Sequence, residues 1–134
     1  MRVCGLPMKN LSKDHLPLVQ RALELGYTHL DMAWTFPAHR DLKKLFPEIS
    51  RKDYKVIMKV MPGFAPDRMI AAYDGFIDVM LVHWPGQYNL KPEDPKNETA
   101  RHEHYAQLEA AHKSGVIGEI GVSNFNHRHL DRLV

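Results

Sequence analysis

The chain has 134 residues, of which 44% are hydrophobic and 25% charged, and its formal net charge is +2 with neutral histidines. This composition is typical of a soluble single domain over residues 1–134, and it gives no reason to expect nucleic acid or a membrane as a partner. A single cysteine, Cys4, excludes an internal disulfide and favours a reducing, cytoplasmic location.

Short apolar runs alternate with segments that carry a one-sided apolar stripe, which predicts alternating strands and helices. The clearest strand is Ile77–Pro85, because it is apolar on both faces and Pro85 cannot donate to a strand ladder. A long loop is predicted over Gly86–Glu98. The other predicted strands are Arg2–Leu6, Tyr27–Asp31, Tyr54–Lys59 and Val116–Val122, and the predicted helices are one from Asp14 or Leu16 to Gly26, Ala38–Phe46, Asp67–Tyr73, Thr99–Ser114 and a last one capped by Asn126.

This alternation predicts an α/β fold with a parallel sheet and right-handed crossovers. An open doubly wound sheet and part of a (β/α)8 barrel both satisfy the pattern. The sequence has no G-x-G-x-x-G motif after its first strand and no P-loop, which disfavours the usual nucleotide-binding versions of the open sheet.

Four predicted strands end on polar side chains, namely Asp31, Lys59, His83 and the pair Ser123 and Asn124. In a parallel barrel such ends meet at one face, where ligands bind. An acid, an amine and an imidazole in a partly dry pocket shift one another's pKa values. Each residue alone is explained more simply as structural, for example by an Asp31–Lys59 ion pair. Together they predict an active site.

Four segments make the chain similar to the aldo-keto reductases: Gly26–Ala33, Val56–Lys59, Leu81–Pro85 and Gly121–Asn126. They occur in the family's order and span most of the chain. The resemblance implies a (β/α)8 TIM barrel, and about five strand–helix units are counted here, so the chain is expected to be the N-terminal portion of such a barrel. It also implies NAD(P)H-dependent reduction of a small aldehyde or ketone to an alcohol.

The resemblance assigns roles to individual side chains. Asp31 and Lys59 are expected to form an ion pair that tunes the proton donor, while His83 orients the substrate carbonyl. Ser123 and Asn124 are expected to hold the nicotinamide carboxamide of NADPH or NADH. The residues implied to contact the cofactor are Asp31, Met32, Ser123 and Asn124, and those implied to line the substrate pocket are Trp34 and Trp84.

The chain departs from the family at the proton donor and in its length. Phe36 stands where the family has its tyrosine acid, and phenylalanine has no hydroxyl to donate. A full barrel takes about 250 residues, so this chain is expected to be truncated, to bind cofactor weakly and to self-associate through open barrel edges. Impaired carbonyl reduction is therefore predicted, and the alternative is a non-catalytic half-barrel module or a gene fragment.

Nine histidines raise a further alternative, a metal-dependent hydrolase on the same barrel. No predicted strand end carries a closely spaced histidine pair, so no metal site is predicted. The lysines and arginines other than Lys59 are expected on solvated faces. Exposed positions are likewise predicted for His102, His104, His112, His127 and His129.

Overall fold

The computed structural model describes residues 14, 16–35, 47–73 and 75–133. Within these residues, one four-stranded parallel sheet has the strand order β1-β2-β3-β4. This strictly sequential order is that of a barrel, whereas a doubly wound sheet reverses its order at a switch point. The strands are β1 His29–Ala33, β2 Lys55–Val60, β3 Ile77–Val82 and β4 Ile117–Val122, and the helices are α1 Leu16–Glu24, α2 Asp67–Ala72, α3 Lys96–Lys113 and α4 His127–Asp131.

The chain divides into two compact units, Met1–Met58 and Lys59–Val134. The first contains α1, β1 and most of β2, and the second contains the end of β2 and all later elements. The expectation of one domain over residues 1–134 stays a prediction.

In the first unit, α1 is amphipathic and turns Val19 and Ala22 inward. The helix ends where the sequence predicts, because Gly26 adopts a left-handed φ of +86° and the Tyr27 amide donates to the Ala22 carbonyl at 3.1 Å. The predicted end of β1 at Asp31 is wrong. The strand continues to Ala33, since Met32 and Ala33 are both buried.

In the second unit, β3 and β4 pair in parallel, with Ile77 opposite Ile117 and Val82 opposite Val122. The core on β3 consists of the fully buried Ile77, Met80 and Val82. α3 packs against both strands and contributes Leu108.

The long helix α3 begins three residues earlier than the predicted Thr99. The cause is the Asp94 side chain, which accepts a hydrogen bond from the free Lys96 amide at 2.9 Å and so supports an earlier first turn. The predicted loop therefore stops before Lys96. By contrast, Asn126 caps α4 as predicted, accepting from the His129 amide at 3.0 Å.

Two predicted elements, Arg2–Leu6 and Ala38–Phe46, lie outside the described residues. Across the part of the chain that the structure describes, no helix combines the length and the apolar character needed to cross a membrane.

Candidate active site at the carboxyl ends of the strands

The first unit holds three of the predicted site residues within the described part of the chain. Asp31 is half-buried in the middle of β1, and Met32 is completely buried beside it. Successive side chains of a strand point to opposite faces, so Asp31 and Met32 face opposite sides of the sheet. Trp34 follows the strand and is half-buried. Phe36, the position of the missing tyrosine, lies outside the described residues.

The second unit brings the ends of β2, β3 and β4 together through backbone hydrogen bonds. The His83 amide donates to the Val60 carbonyl at 2.9 Å, and the Ser123 amide donates to the Val82 carbonyl at 2.8 Å. Lys59, the residue before Val60, is half-buried. His83 and Ser123 therefore lie on neighbouring strand ends, as the sequence predicts.

Asn124 ties two of these strand ends to each other. Its side-chain Nδ2 donates to the His83 carbonyl oxygen at 2.8 Å and lies 3.2 Å from the Ser123 hydroxyl oxygen. Its backbone is left-handed, with φ of +61°, a conformation that asparagine tolerates better than most residues. The side chain that is predicted to contact a cofactor is thus also a structural link to His83.

The aromatic neighbour of His83 is largely open to solvent. The rings of His83 and Trp84 have centroids 6.1 Å apart at an angle of 36°, and 49% of Trp84 is exposed. The Nδ1 atom of His83 is buried. Trp84 offers a half-exposed aromatic surface near the His83 ring.

Three buried polar residues of α3 were not predicted. Arg101 is 5% exposed and His104 is 1% exposed, so the expectation that both are solvated is wrong. Asn97 is also buried, at 5% exposed. With Leu108, these residues recur at helical spacing and form the inner stripe of α3. The helical spacing of these residues can be read from the sequence. Because three of them are polar, however, the sequence pattern predicts a solvent-exposed face.

Burial shapes the electrostatics of this stripe. It lowers the pKa of His104 to about 4, against a smaller opposing effect of the Val60 backbone. Burial also lowers the pKa of Arg101. The negative charge of Glu98 raises this pKa and the positive charge of Arg132 lowers it, both by less than burial does. The pKa of His129 is lowered by burial and then by the positive charges of Arg101 and Arg132. Glu98 offsets part of this positive charge, because its carboxylate accepts from Arg132 Nη1 at 3.0 Å and joins the start of α3 to the end of α4.

A cavity of about 570 Å³ in the second unit lies elsewhere. It is bounded by α3, β4 and α4 and includes Tyr105, Val122 and Leu130, so none of the predicted site residues lines it. Among the described residues, no group of three histidine, cysteine or acidic side chains is arranged to hold a metal ion.

The sequence was compared with protein families and with individual proteins, and it matches aldo-keto reductases in both. The profile described as the Aldo/keto reductase family matches residues 7–134. The chain is 25% identical over 137 residues to aldo-keto reductase family 1 member C13 of Mus musculus, covering 84% of this chain and 42% of that protein. It is 29% identical over 138 residues to 7-acetyl-epi-neemfruitin B aldo-keto reductase of Melia azedarach, covering 87% of this chain and 43% of that protein.

The solved structures agree on the fold. A crystal structure of an aldo/keto reductase from Brucella melitensis superposes with a TM-score of 0.71 at 23% identity, covering 98% of this chain and 50% of the other. At that identity the likeness concerns the fold alone. The chain thus spans about half the length of the relatives it matches, and its fold corresponds to part of a (β/α)8 barrel.

Proposed function

The chain belongs to the aldo/keto reductase family, and from this premise we propose that its strand ends serve the NAD(P)H-dependent reduction of a small aldehyde or ketone to an alcohol. One observation carries the proposal. The Asn124 side chain donates to the His83 carbonyl at 2.8 Å, which joins the residue expected to face the substrate to the residues expected to face the cofactor. A cytoplasmic location belongs to the same proposal, with NADPH or NADH as the cofactor.

The residues after β4 suit a nicotinamide carboxamide. That group carries one acceptor oxygen and one donor NH₂. The Ser123 hydroxyl could donate to that oxygen and Asn124 Oδ1 could accept from that NH₂, while Asn124 Nδ2 is engaged by the His83 carbonyl and the Ser123 hydroxyl. When bound, the cofactor supplies a hydride to the carbonyl carbon. Ser123 and Asn124 would orient the carboxamide at this edge of the sheet.

The chain's own residues must stabilise and protonate the oxygen of the substrate. We assign His83 Nε2 the role of hydrogen-bonding the carbonyl oxygen, with Trp84 covering the apolar part of the substrate. Lys59 would supply positive charge that favours the developing negative oxygen. Phe36 cannot donate a proton, so His83 or a water must do so in its place.

Restoring the missing hydroxyl tests the proposal. General acid catalysis contributes about a hundred- to ten-thousand-fold to rate, so Phe36→Tyr should raise NADPH consumption with a small aromatic aldehyde by about that factor. The double variant Phe36→Tyr with His83→Ala should lose most of the gain. Phe64→Tyr, at an exposed position, is a matched control for adding a hydroxyl. No gain in Phe36→Tyr would contradict the proposed function.

A second candidate is a non-catalytic half-barrel that binds or assembles with a partner. Phe36 at the tyrosine position favours it. Titration with NADPH separates the two candidates, because the reductase requires binding and the module does not. Binding that Asn124→Ala abolishes would support the reductase.

A further inference from the structure

The two most buried polar side chains at the start of α3 direct their hydrogen bonds to one segment. We name His83–Pro92 the β3 exit segment, since it leaves the end of β3. Asn97 and Arg101 are each only 5% exposed and lie four residues apart, on the same face of α3. Burying such groups is costly unless they are hydrogen-bonded, so the identity of their partners is informative.

Asn97 holds the middle of the β3 exit segment through both ends of its amide. Its Oδ1 accepts from the Gln87 amide at 2.9 Å, and its Nδ2 donates to the Lys91 carbonyl at 2.7 Å and to the Pro92 carbonyl at 3.3 Å. Gly86 packs tightly against it, because a Cβ there would lie 3.1 Å from Oδ1. Asn97 therefore holds this segment at three backbone positions, in its middle and at its end.

Arg101 holds the start of the same segment and reaches a second one. Its Nη1 donates to the Pro85 carbonyl at 2.7 Å, a charge-assisted hydrogen bond two residues after His83. Its guanidinium also lies 6.0 Å from the centre of the Phe125 ring. Phe125 follows Ser123 and Asn124 in the sequence. Arg101 thus contacts the exits of both β3 and β4.

Trp84 therefore stands in the chain between two residues whose backbone carbonyls are held by hydrogen bonds from side chains. The carbonyl of His83 accepts from Asn124, and the carbonyl of Pro85 accepts from Arg101. The indole itself is about half exposed and has no comparable burial to hold it. The anchored backbone on either side therefore fixes where the indole is attached.

We propose that Asn97 and Arg101 are positioning residues for carbonyl reduction. Asn97 positions the residues that face the substrate, His83 and Trp84, through the β3 exit segment. Arg101 positions these residues and also those that face the nicotinamide, Ser123 and Asn124. This inference rests on the proposed function. Neither residue touches the reacting atoms. Each acts through backbone or ring contacts with residues that do.

The test compares substrate and cofactor constants in variants of the full chain. Asn97→Asp keeps the acceptor for Gln87 but turns an oxygen towards the Lys91 and Pro92 carbonyls. We expect the KM for a small aromatic aldehyde to rise about tenfold, the size of a lost hydrogen bond, with the Kd for NADPH unchanged. Asn89→Asp, on an exposed position of the same segment, is the matched control.

Arg101→Lys should raise both constants, because lysine cannot reach Pro85 and Phe125 with one planar group. Phe125→Leu should raise only the Kd for NADPH, and Arg68→Lys, at an exposed position of α2, is the control. A purely structural role would lower the melting temperature without separating the two constants. The inference is overturned if either variant leaves both constants unchanged, or if Asn97→Asp raises the Kd for NADPH as much as the KM for the aldehyde.

A third measurement separates this inference from the proposed function. In a Trp34→Phe background Trp84 is the remaining tryptophan, and its quenching by acrylamide should increase in Asn97→Asp and Arg101→Lys. If the parent chain reduces no aldehyde, the proposed function fails. Unchanged quenching would then overturn the anchoring of Trp84 as well, whereas increased quenching with an intact circular dichroism spectrum would support it.

Discussion

β3 and β4 are neighbours that pair in parallel register, but they are buried to different extents. β3 contributes three fully buried residues, whereas in β4 only Ile117 is buried, and Gly118 and Glu119 are exposed. The reason is position, because β3 has a strand on each side and β4 is the last strand of the described sheet. His83 therefore extends from a well-packed strand, and Ser123 and Asn124 extend from an open one.

The largest effect should come from a cavity in β3. Met80 is fully buried, so Met80→Ala should lower the free energy of unfolding by about 2–5 kcal/mol. Ile120 on β4 is half-buried, and Ile120→Ala should cost about 1 kcal/mol. Urea unfolding followed by circular dichroism measures both. Equal losses would show that β4 is covered in solution and would break the comparison.

Acid should lower the free energy of unfolding through His104, which is buried on the inner face of α3 against β3 and β4. The folded-state pKa of His104 is about 4 against an ordinary value of 6.5, so protons bind preferentially to the unfolded chain. Stability should be highest above pH 6.5 and should fall by about 3 kcal/mol as the pH falls to about 4. Urea unfolding at several pH values in this range gives the free energy of unfolding as a function of pH. Its slope against pH should be shallower for His104→Gln and unchanged for the exposed His102→Gln. Identical slopes in both variants would contradict the prediction.

The open side of β4 should promote self-association. We expect light scattering to show species larger than the 15.5 kDa monomer, increasing with concentration. Ile120→Lys places a charge on the outer strand and should weaken association about tenfold, since a charge buried at an interface is costly. Glu119→Gln is a control at the adjacent exposed position. A sharp monomer peak at every concentration would rule out this prediction.

The smallest effect concerns the cap of α4, just after Ser123 and Asn124. Asn126→Ala removes the acceptor for the His129 amide and should cost about 1 kcal/mol locally. Hydrogen exchange at the α4 amides should become about fivefold faster, while exchange in β3 stays unchanged. Asn89→Ala is the control, and acceleration spread equally over β3 would argue against a local effect.

The parts of the fold that were predictable are those where one local signal dominates. β3 was clear because an apolar run stops before His83, Trp84 and Pro85. The start of α3 was missed because a side chain outside the helix, Asp94, completes its first turn. Local patterns do not reveal such contacts.

The candidate site follows the same rule. His83, Ser123 and Asn124 were predictable because each follows directly on a strand, and the structure brings these three together. Asn97 and Arg101 were not, because their importance lies in partners 5–16 residues away in the chain. A buried polar stripe on a helix resembles a solvated face until those partners are known.

The bond from the Asn124 side chain to the His83 carbonyl has a thermodynamic consequence. If the proposed nicotinamide contact forms, any restriction that it places on Asn124 would reach the backbone that carries the imidazole, and reciprocity would require a return effect of equal size. Cofactor and carbonyl compound would then bind as a linked pair, each changing the affinity of the other by the same factor.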